Sequence, residues 1–231
     1  VFVGTTDTLT IFGLHPTAPS PTSGTLAATP PPLTYNNRGV SNDSAPETGD
    51  FDGNNDSYSV QALQNVGINP GDNAFYKSNK MVFSWPNVLP GSNNNYIAAG
   101  QTIPVTPMDN ANLLGFLGAA TNGPSYGVAT INYTDGSQQD FMLGFSDWLL
   151  NGGDLSQLYP GNAIQSQMTY YNSGQGTNYA NTYLFYTDIA LQAGKSVASV
   201  TLPSAVSQGQ LHVFAISTLN APQPAASNTS G

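Results

Sequence analysis

An acidic segment at residues 49–57 (GDFDGNNDS) carries several hard oxygen ligands at close spacing. Its carboxylates belong to Asp50, Asp52 and Asp56, and carboxylate and amide oxygens are the ligands that Ca²⁺ prefers. The inner glycine stands at a position that does not fit an EF-hand loop. Two interpretations stay open: a calcium site formed by these three aspartates, or a solvated turn closed by aspartate and asparagine side chains.

Groups for covalent or acid–base catalysis are scarce. Residues 123–127 (GPSYG) match the G-x-S-x-G nucleophile motif, which requires a strand before the serine and a helix after it. Here a β-patterned run follows, and the two histidines are His15 in a proline-rich stretch and His212 in a β-prone run. Glycosidases usually pair two carboxylates, and the single glutamate, Glu47, lies in a Pro/Ser/Asn loop. We therefore expect a protein that is not an enzyme.

Aromatic side chains provide a second kind of chemistry, because a Tyr or Trp ring combines apolar area with a polar tip and can stack on a sugar. The uncharged segment 170–183 (YYNSGQGTNYANTY) is the best candidate surface. The predicted carbohydrate contacts are Trp148, Tyr170, Tyr171 and Tyr179. For Trp148 core packing is an equal alternative, and segment 170–183 could instead form a hairpin tip whose tyrosines cover the sheet.

The elements that would position these groups are β-strands. Apolar and polar residues alternate along several runs, and Asp135-Gly136 between two of them predicts a type I′ hairpin. Further strands are predicted at residues 80–85, 113–119, 181–191, 196–202 and 210–217. One short helix is predicted at 59–67, where Ser59 can cap the start and Gly67 can end it. We expect an all-β fold: an antiparallel, jelly-roll-like β-sandwich with one short helix.

Domain boundaries follow from composition. Residues 1–14 are β-prone, whereas residues 15–32 contain six prolines and favour an extended, polyproline-like tether. The sequence therefore predicts an N-terminal strand on a Pro-rich tether (1–32), a β-sandwich domain (33–219) and a polar C-terminal tail (220–231).

The charge composition excludes several partners. The chain has 4 basic and 13 acidic residues and a formal net charge of −9. Four cations cannot neutralise a run of phosphates, so we expect no nucleic-acid partner. An acidic chain without an apolar run of about 18 residues is also not expected to insert into a membrane.

The surface composition and the glycosylation signals favour a location outside the cell. Neutral amides and hydroxyls dominate, and there is no cysteine. We expect an extracellular or cell-surface protein. Four Asn-x-Ser/Thr sequons permit glycosylation; they are Asn42, Asn55, Asn132 and Asn228.

Several long segments resemble, in matching order, a β-sandwich accessory module appended to secreted bacterial glycoside hydrolases and surface proteins. The segments are LTYNNRGVSNDS, GDFDGNNDSYSVQAL, VFSWPNVLPG, AAGQTIPV, LLGFLGAATNGPSYGVATINYTDG, MLGFSDW, LQAGKSVASVTLP and LHVFAIS. The resemblance covers residues 33–217. It implies a jelly-roll fold, an extracellular location and a non-catalytic, carbohydrate-associated role, and it implies no particular binding residues.

Two functions of different classes follow from these observations. A β-prone segment on a tether can add to the sheet edge of another copy, and head-to-tail addition produces open filaments. The apolar anchors of this assembly strand would be Val1, Val3, Leu9 and Ile11. The sequence thus predicts a homo-oligomeric structural subunit of an extracellular filament. The alternative is an adhesive module that binds glycans.

Overall fold

The computed structural model describes residues 34–76 and 78–222. The predicted assembly strand, its tether and the last nine residues lie outside this part of the chain. The strands are β1 (Val40–Ser41), β2 (Tyr58–Ser59), β3 (Asn73–Phe75), β4 (Val82–Ser84), β5 (Tyr96–Ile97), β6 (Thr102–Pro104), β7 (Leu113–Thr121), β8 (Ser125–Tyr133), β9 (Gln138–Phe145), β10 (Ala163–Met168), β11 (Tyr171–Ser173), β12 (Gly176–Asn178), β13 (Thr182–Ala190), β14 (Val197–Thr201) and β15 (Gln210–Leu219). The helices are α1 (Val60–Asn65) and α2 (Leu150–Gly153), with 3₁₀ turns at Pro46–Thr48 and Leu155–Gln157.

Two antiparallel sheets form the sandwich. The larger has five strands in the order β10-β13-β7-β15-β5, and the smaller has four in the order β6-β14-β8-β9. Three further pairs, β1-β2, β3-β4 and β11-β12, are two-stranded, and β1-β2 is the parallel one. The predicted all-β sandwich is therefore confirmed.

Local sequence signals account for several of these elements. The β8–β9 hairpin lies at Asp135-Gly136, as predicted, but the turn is not the predicted type I′. Gly136 has a φ of +83°, whereas Asp135 does not have a positive φ, and the Gly136 N–H donates to the Tyr133 carbonyl at 3.0 Å. Helix α1 begins after Ser59, whose hydroxyl accepts a hydrogen bond from the Ala62 N–H at 3.0 Å. Gly67 follows with a φ of +83°, the conformation that commonly ends a helix.

The central strand β7 is covered on both faces, and two glycines permit the close packing. A Cβ at Gly118 would overlap the ring of Phe145 on β9, so this face packs against the smaller sheet. A Cβ at Gly115, on the opposite face, would overlap Met81 and Phe83 at the β3–β4 hairpin. Because successive side chains point to opposite faces, β7 is buried on both sides.

The structure departs from the single-helix prediction at α2. All four residues of α2 have a positive φ, from 47° at Asn151 to 95° at Gly153. This is a short left-handed turn, a conformation that glycine adopts readily and asparagine occasionally, but that costs energy for a residue such as Leu150. Of the helices within the described residues, none is long and apolar enough to cross a membrane.

Candidate functional site

The outer edge of β10 is the least protected strand edge of the sandwich. Within residues 34–222 no strand pairs with it, and its sequence, AIQSQM, contains neither a charge nor a proline. Natural proteins usually block such edges with charges, prolines, bulges or very short strands. A register shift between Ile164 and Ser166 is the one such device present, and regular pairing with β13 resumes from Ser166 to Met168.

A groove of about 530 Å³ runs beside this edge. One wall is β10 itself, and the other is the segment that leaves α1 and enters β3. The lining residues are Val66, Gly67, Ile68, Asn73, Ala74, Ile164, Gln165, Ser166 and Gln167. An extended segment in this groove would meet backbone donors and acceptors on one side and apolar side chains on the other.

The other three outer strands are better protected. Strand β5 has two residues, and β6 ends in Pro104, which has no N–H to donate. Strand β9 includes Asp140, and the side chain of its neighbour Gln139 donates to the Ala190 carbonyl at 3.0 Å. Among the four outer strands of the described residues, β10 is the one that lacks these protections.

The described chain starts at the opposite edge of the same sheet. The backbone N–H groups of Asn36 and Asn37 donate to the Asn95 carbonyl at 3.1 and 3.2 Å, and the Ile97 N–H donates to the Asn36 side chain at 2.7 Å. These contacts place residues 36 and 37 beside β5. Since β5 and β10 are four strand spacings apart, about 19 Å separates the two edges.

Two of the four predicted carbohydrate contacts are core residues, so the prediction is wrong for them. Trp148 is 1% exposed, and its ring packs against Phe51, Tyr58 and Tyr171 at centroid distances of 5.1–5.3 Å. Tyr171 is 6% exposed. Neither ring can present a face to a ligand, because both side chains are buried and Tyr171 packs against Trp148.

Segment 170–183 contains the β11–β12 hairpin, as the alternative interpretation of this segment expected. Tyr170 and Tyr179 flank the hairpin and remain accessible. Tyr179 is 86% exposed, and its ring lies 6.1 Å from that of Tyr170. The Tyr170 hydroxyl donates to the Asp43 carboxylate at 2.9 Å, which fixes the ring at the rim of the hairpin.

A different tyrosine pair lies flat on the outer face of the smaller sheet, and the sequence reasoning missed it. The rings of Tyr126 and Tyr159 are 5.5 Å apart with an interplanar angle of 28°. The Tyr159 ring covers Gly144, where a Cβ would overlap it. Exposed Val128 and Met142 extend the apolar area along β8 and β9. The available signal was the spacing of Tyr126 and Val128 two residues apart on β8, which places both on one face of the strand.

A cavity of about 460 Å³ lies at the end of the smaller sheet beside the left-handed turn α2. It is lined by Gly123, Pro124, Asp147, Leu149, Leu150, Asn151, Gly152 and Gln157. Asp147 organises its wall: one carboxylate oxygen accepts the Gly123 N–H at 2.8 Å, and the other accepts the Leu149 N–H at 2.9 Å.

The acidic loop at residues 50–56 has the hydrogen bonds of an Asx turn. The Asp52 carboxylate accepts the N–H groups of Asn54 and Asp56 at 2.8 and 3.3 Å, and Asp50 accepts the Asn55 N–H at 3.1 Å. Burial, with the charges of Asp52 and Asp50, raises the pKa of Asp56 to about 6. Among the described residues no group of three metal-ligating side chains is placed to hold an ion. The calcium interpretation stays a prediction.

The serine of the GPSYG motif and His212 have separate surroundings. Ser125 is fully buried at the start of β8, so the strand-to-helix turn of a nucleophile motif is absent at this serine. His212 is also fully buried, and its Nδ1 lies 2.9 Å from Asn95 Oδ1. Burial lowers the pKa of His212 to about 3, so the ring is neutral at neutral pH.

Three of the four sequons lie within the described residues, in different surroundings. Asn55 is exposed. Asn42 is half-buried, and its side chain accepts hydrogen bonds from Ser44. The half-buried Asn132 amide donates to Ser199 and Thr201, both at 3.1 Å, so a glycan there would break cross-strand bonds. Asn228 lies outside the described residues, as do the predicted assembly anchors Val1, Val3, Leu9 and Ile11.

Comparison with known families agrees with the fold. Residues 27–222 match the model of the AziU2-like β-sandwich domain. No curated protein matches the chain. The matched region includes both sheets, the β10 groove and the cavity beside α2. The chain belongs to the AziU2-like β-sandwich domain family.

Proposed function

We propose that the protein is a non-catalytic, extracellular structural subunit that assembles head to tail by strand addition. In this proposal residues 1–14 of one copy pair with the outer edge of β10 in the next. The observation that supports it best is the combination of an uncharged, proline-free edge with an adjoining groove partly lined by apolar side chains. The resemblance to modules of secreted glycoside hydrolases supports the extracellular location.

The positions of the two edges favour addition to a second copy. The described chain begins beside β5, whereas the open edge is β10, on the far side of the same sheet. A donor that leaves one edge and an acceptor at the other make a heterologous contact, which repeats as an open filament. Eighteen extended tether residues span about 55 Å, enough to reach a neighbouring sandwich.

The chemistry of the donor matches that of the acceptor. Strand addition obtains its affinity from backbone hydrogen bonds and its specificity from alternate side chains that enter pockets. Val1, Val3, Leu9 and Ile11 supply apolar side chains, and the groove offers Ile68, which is 3% exposed, and Ala74. Since β10 has no charge, the contact leaves no ion of that strand without a partner.

The first test is a matched pair of edge variants. Gln167→Lys adds a charge to the exposed position of β10, and Gln138→Lys adds the same charge to an exposed position of β9. A lysine on an edge strand opposes further pairing. We expect the β10 variant to remain monomeric by light scattering at concentrations where the wild type and the β9 variant assemble.

The second test is deletion of residues 1–14, which should abolish assembly. A synthetic peptide of residues 1–14 is then added to the truncated chain. The peptide should protect β10 amides from hydrogen exchange. The proposal fails if the truncated chain assembles like the intact one. It also fails if the intact chain is a monomer at all concentrations. Protected β10 amides in that monomer would indicate that the segment pairs within its own chain.

The non-catalytic part of the proposal has its own test. Purified protein should not hydrolyse glycans, esters or peptides. Reproducible turnover that Ser125→Ala abolishes would contradict it.

A further inference from the structure

The cavity beside α2 and the Tyr126–Tyr159 pair share two chain segments. Pro124 lines the cavity and Tyr126 lies two residues further along the chain, while Gln157 lines the cavity and Tyr159 follows two residues later. We propose that this combined surface is a binding site for a neutral polysaccharide, with one saccharide unit in the cavity and the next stacked on the tyrosine pair.

The cavity has the size and the lining of a small-ligand site. Its volume of about 460 Å³ lies within the range of about 300–1,000 Å³ that such sites occupy. Pro124 and Leu149 provide apolar area, and Asn151 and Gln157 provide exposed amides. Within the described residues the Asn151 side chain makes no hydrogen bond, so its donor and acceptor groups are available to sugar hydroxyls.

The backbone of the cavity wall is held in a costly conformation. Leu150 and Asn151 have φ values of 48° and 47°, and residues kept in sparsely populated regions cluster at ligand-binding sites. The turn is fixed by the Asp147 carboxylate and by the Asp154 N–H, which donates to the Leu150 carbonyl at 2.8 Å. The buried side chain of Leu150 anchors the turn, which leaves Asn151 exposed at its tip.

The tyrosine pair supplies a flat apolar surface next to the cavity. The Tyr159 ring rests on Gly144, and Tyr126 is 43% exposed beside it. The C–H face of a pyranose can stack on such rings, while the tyrosine hydroxyls remain available to ring substituents.

The charges favour a neutral sugar over an acidic one. No Lys, Arg or His lines the cavity, and its one charged group is the Asp147 carboxylate. Both carboxylate oxygens already accept backbone N–H groups. A uronic acid or a sulfated sugar would bring a second negative charge to this wall without a cation to pair with it.

The test is affinity electrophoresis of the full chain in gels that contain single neutral polysaccharides: β-1,4-glucan, β-1,3-glucan, α-1,4-glucan or soluble chitin, with alginate as the acidic comparison. We expect at least one neutral polysaccharide to retard the protein and alginate not to. Tyr126→Ala should weaken that binding about fivefold to tenfold, and Tyr126→Phe should retain most of it. Asn151→Gly removes the amide, tolerates the positive φ, and should cost about threefold to tenfold.

Tyr179→Ala is the matched control, because it removes an exposed tyrosine at a different surface. The proposal is overturned if no neutral polysaccharide retards the protein or if alginate alone does. It is also overturned if Tyr126→Ala binds as the wild type does. Binding lost only in Tyr179→Ala would place the site on the β11–β12 hairpin instead.

Discussion

The surroundings of His212 and of Asp56 differ in the charge of the groups that contact each ionisable side chain. Around His212 the partners are neutral: Asn95, Asn37, Asn94 and Thr121. Around Asp56 the partners include two further carboxylates, Asp50 and Asp52. Phe51 connects the regions, since its ring lies 4.0 Å from the His212 ring and it follows Asp50 in the chain.

The difference shows two outcomes of placing an ionisable group away from water. A group that is neutral at pH 7 costs little, whereas a group that is charged at pH 7 lowers the free energy of unfolding. His212 is a neutral imidazole that keeps one ring proton, on Nδ1. This Nδ1–H donates to Asn95 Oδ1, because the Asn95 amide nitrogen is occupied as a donor to Asn37 and Asn94. Asp56 is an acid whose charged form is opposed by burial and by its neighbours. The neutral His212 ring is therefore stable at neutral pH. At Asp56, binding of a proton or a cation would reduce the repulsion among the three carboxylates.

The largest expected effect is acid destabilisation through His212. Its pKa is about 3 in the folded chain and 6.5 when solvated, so the unfolded state binds the proton first. The contribution of neutral His212 to the free energy of unfolding is fully present above pH 6.5 and is lost between pH 6.5 and about 3. The loss is at most about 1.4 kcal/mol per pH unit, or about 4 kcal/mol over three units. Urea unfolding from pH 7 to pH 4 should show a flatter profile for His212→Gln.

His15→Gln is the matched control for this experiment, because His15 is the other histidine of the chain. This variant should leave the slope of the free energy of unfolding against pH unchanged. Equal slopes for wild type and His212→Gln would contradict the buried neutral base.

The next effect is the loss of the neutral partners. Asn95→Ala leaves the His212 Nδ1–H without its acceptor and removes the donor to Asn37. A buried polar group left unsatisfied costs about 1–3 kcal/mol, and we expect the upper end of that range at neutral pH. Asn54→Ala, at an exposed position of the acidic loop, should change the free energy of unfolding by less than about 0.5 kcal/mol.

Adding calcium tests whether the carboxylates of the acidic loop bind a cation. If Asp50, Asp52 and Asp56 bind Ca²⁺, a free concentration ten times Kd should stabilise the fold by about 1.4 kcal/mol, and a chelator should lower the melting temperature. Asp52→Ala should lose this sensitivity. An unchanged melt in excess chelator would leave only the Asx-turn interpretation.

The smallest pH-dependent effect is expected from Asp56→Asn. A carboxyl whose folded pKa of about 6 exceeds its ordinary value of 3.8 contributes stability below pH 3.8 and loses it as the pH rises through 6. The variant should therefore be more stable than the wild type above pH 6, by less than about 1 kcal/mol because the site is partly solvated. A variant that is less stable at pH 7 would show that the carboxylate is needed in its charged form.

The sequence by itself determined the elements that depend on neighbouring residues. Asp135-Gly136 specified a hairpin because the turn needs a positive φ, which Gly136 adopts. Ser59 and Gly67 bounded α1 to within two residues, because capping groups act within one helical turn. The alternation of apolar residues also gave the strands and hence the all-β sandwich.

The tertiary structure alone decided which aromatic residues are exposed. Trp148 is buried by Phe51 and Tyr58, which are distant in sequence, and Tyr171 packs against Trp148. Tyr126 and Tyr159 meet over Gly144 for the same reason. Strand periodicity tells which residues share a face, but whether that face is covered depends on where remote segments pack. That β10 has no second neighbour among the described strands is likewise a property of the strand order, which no local pattern encodes.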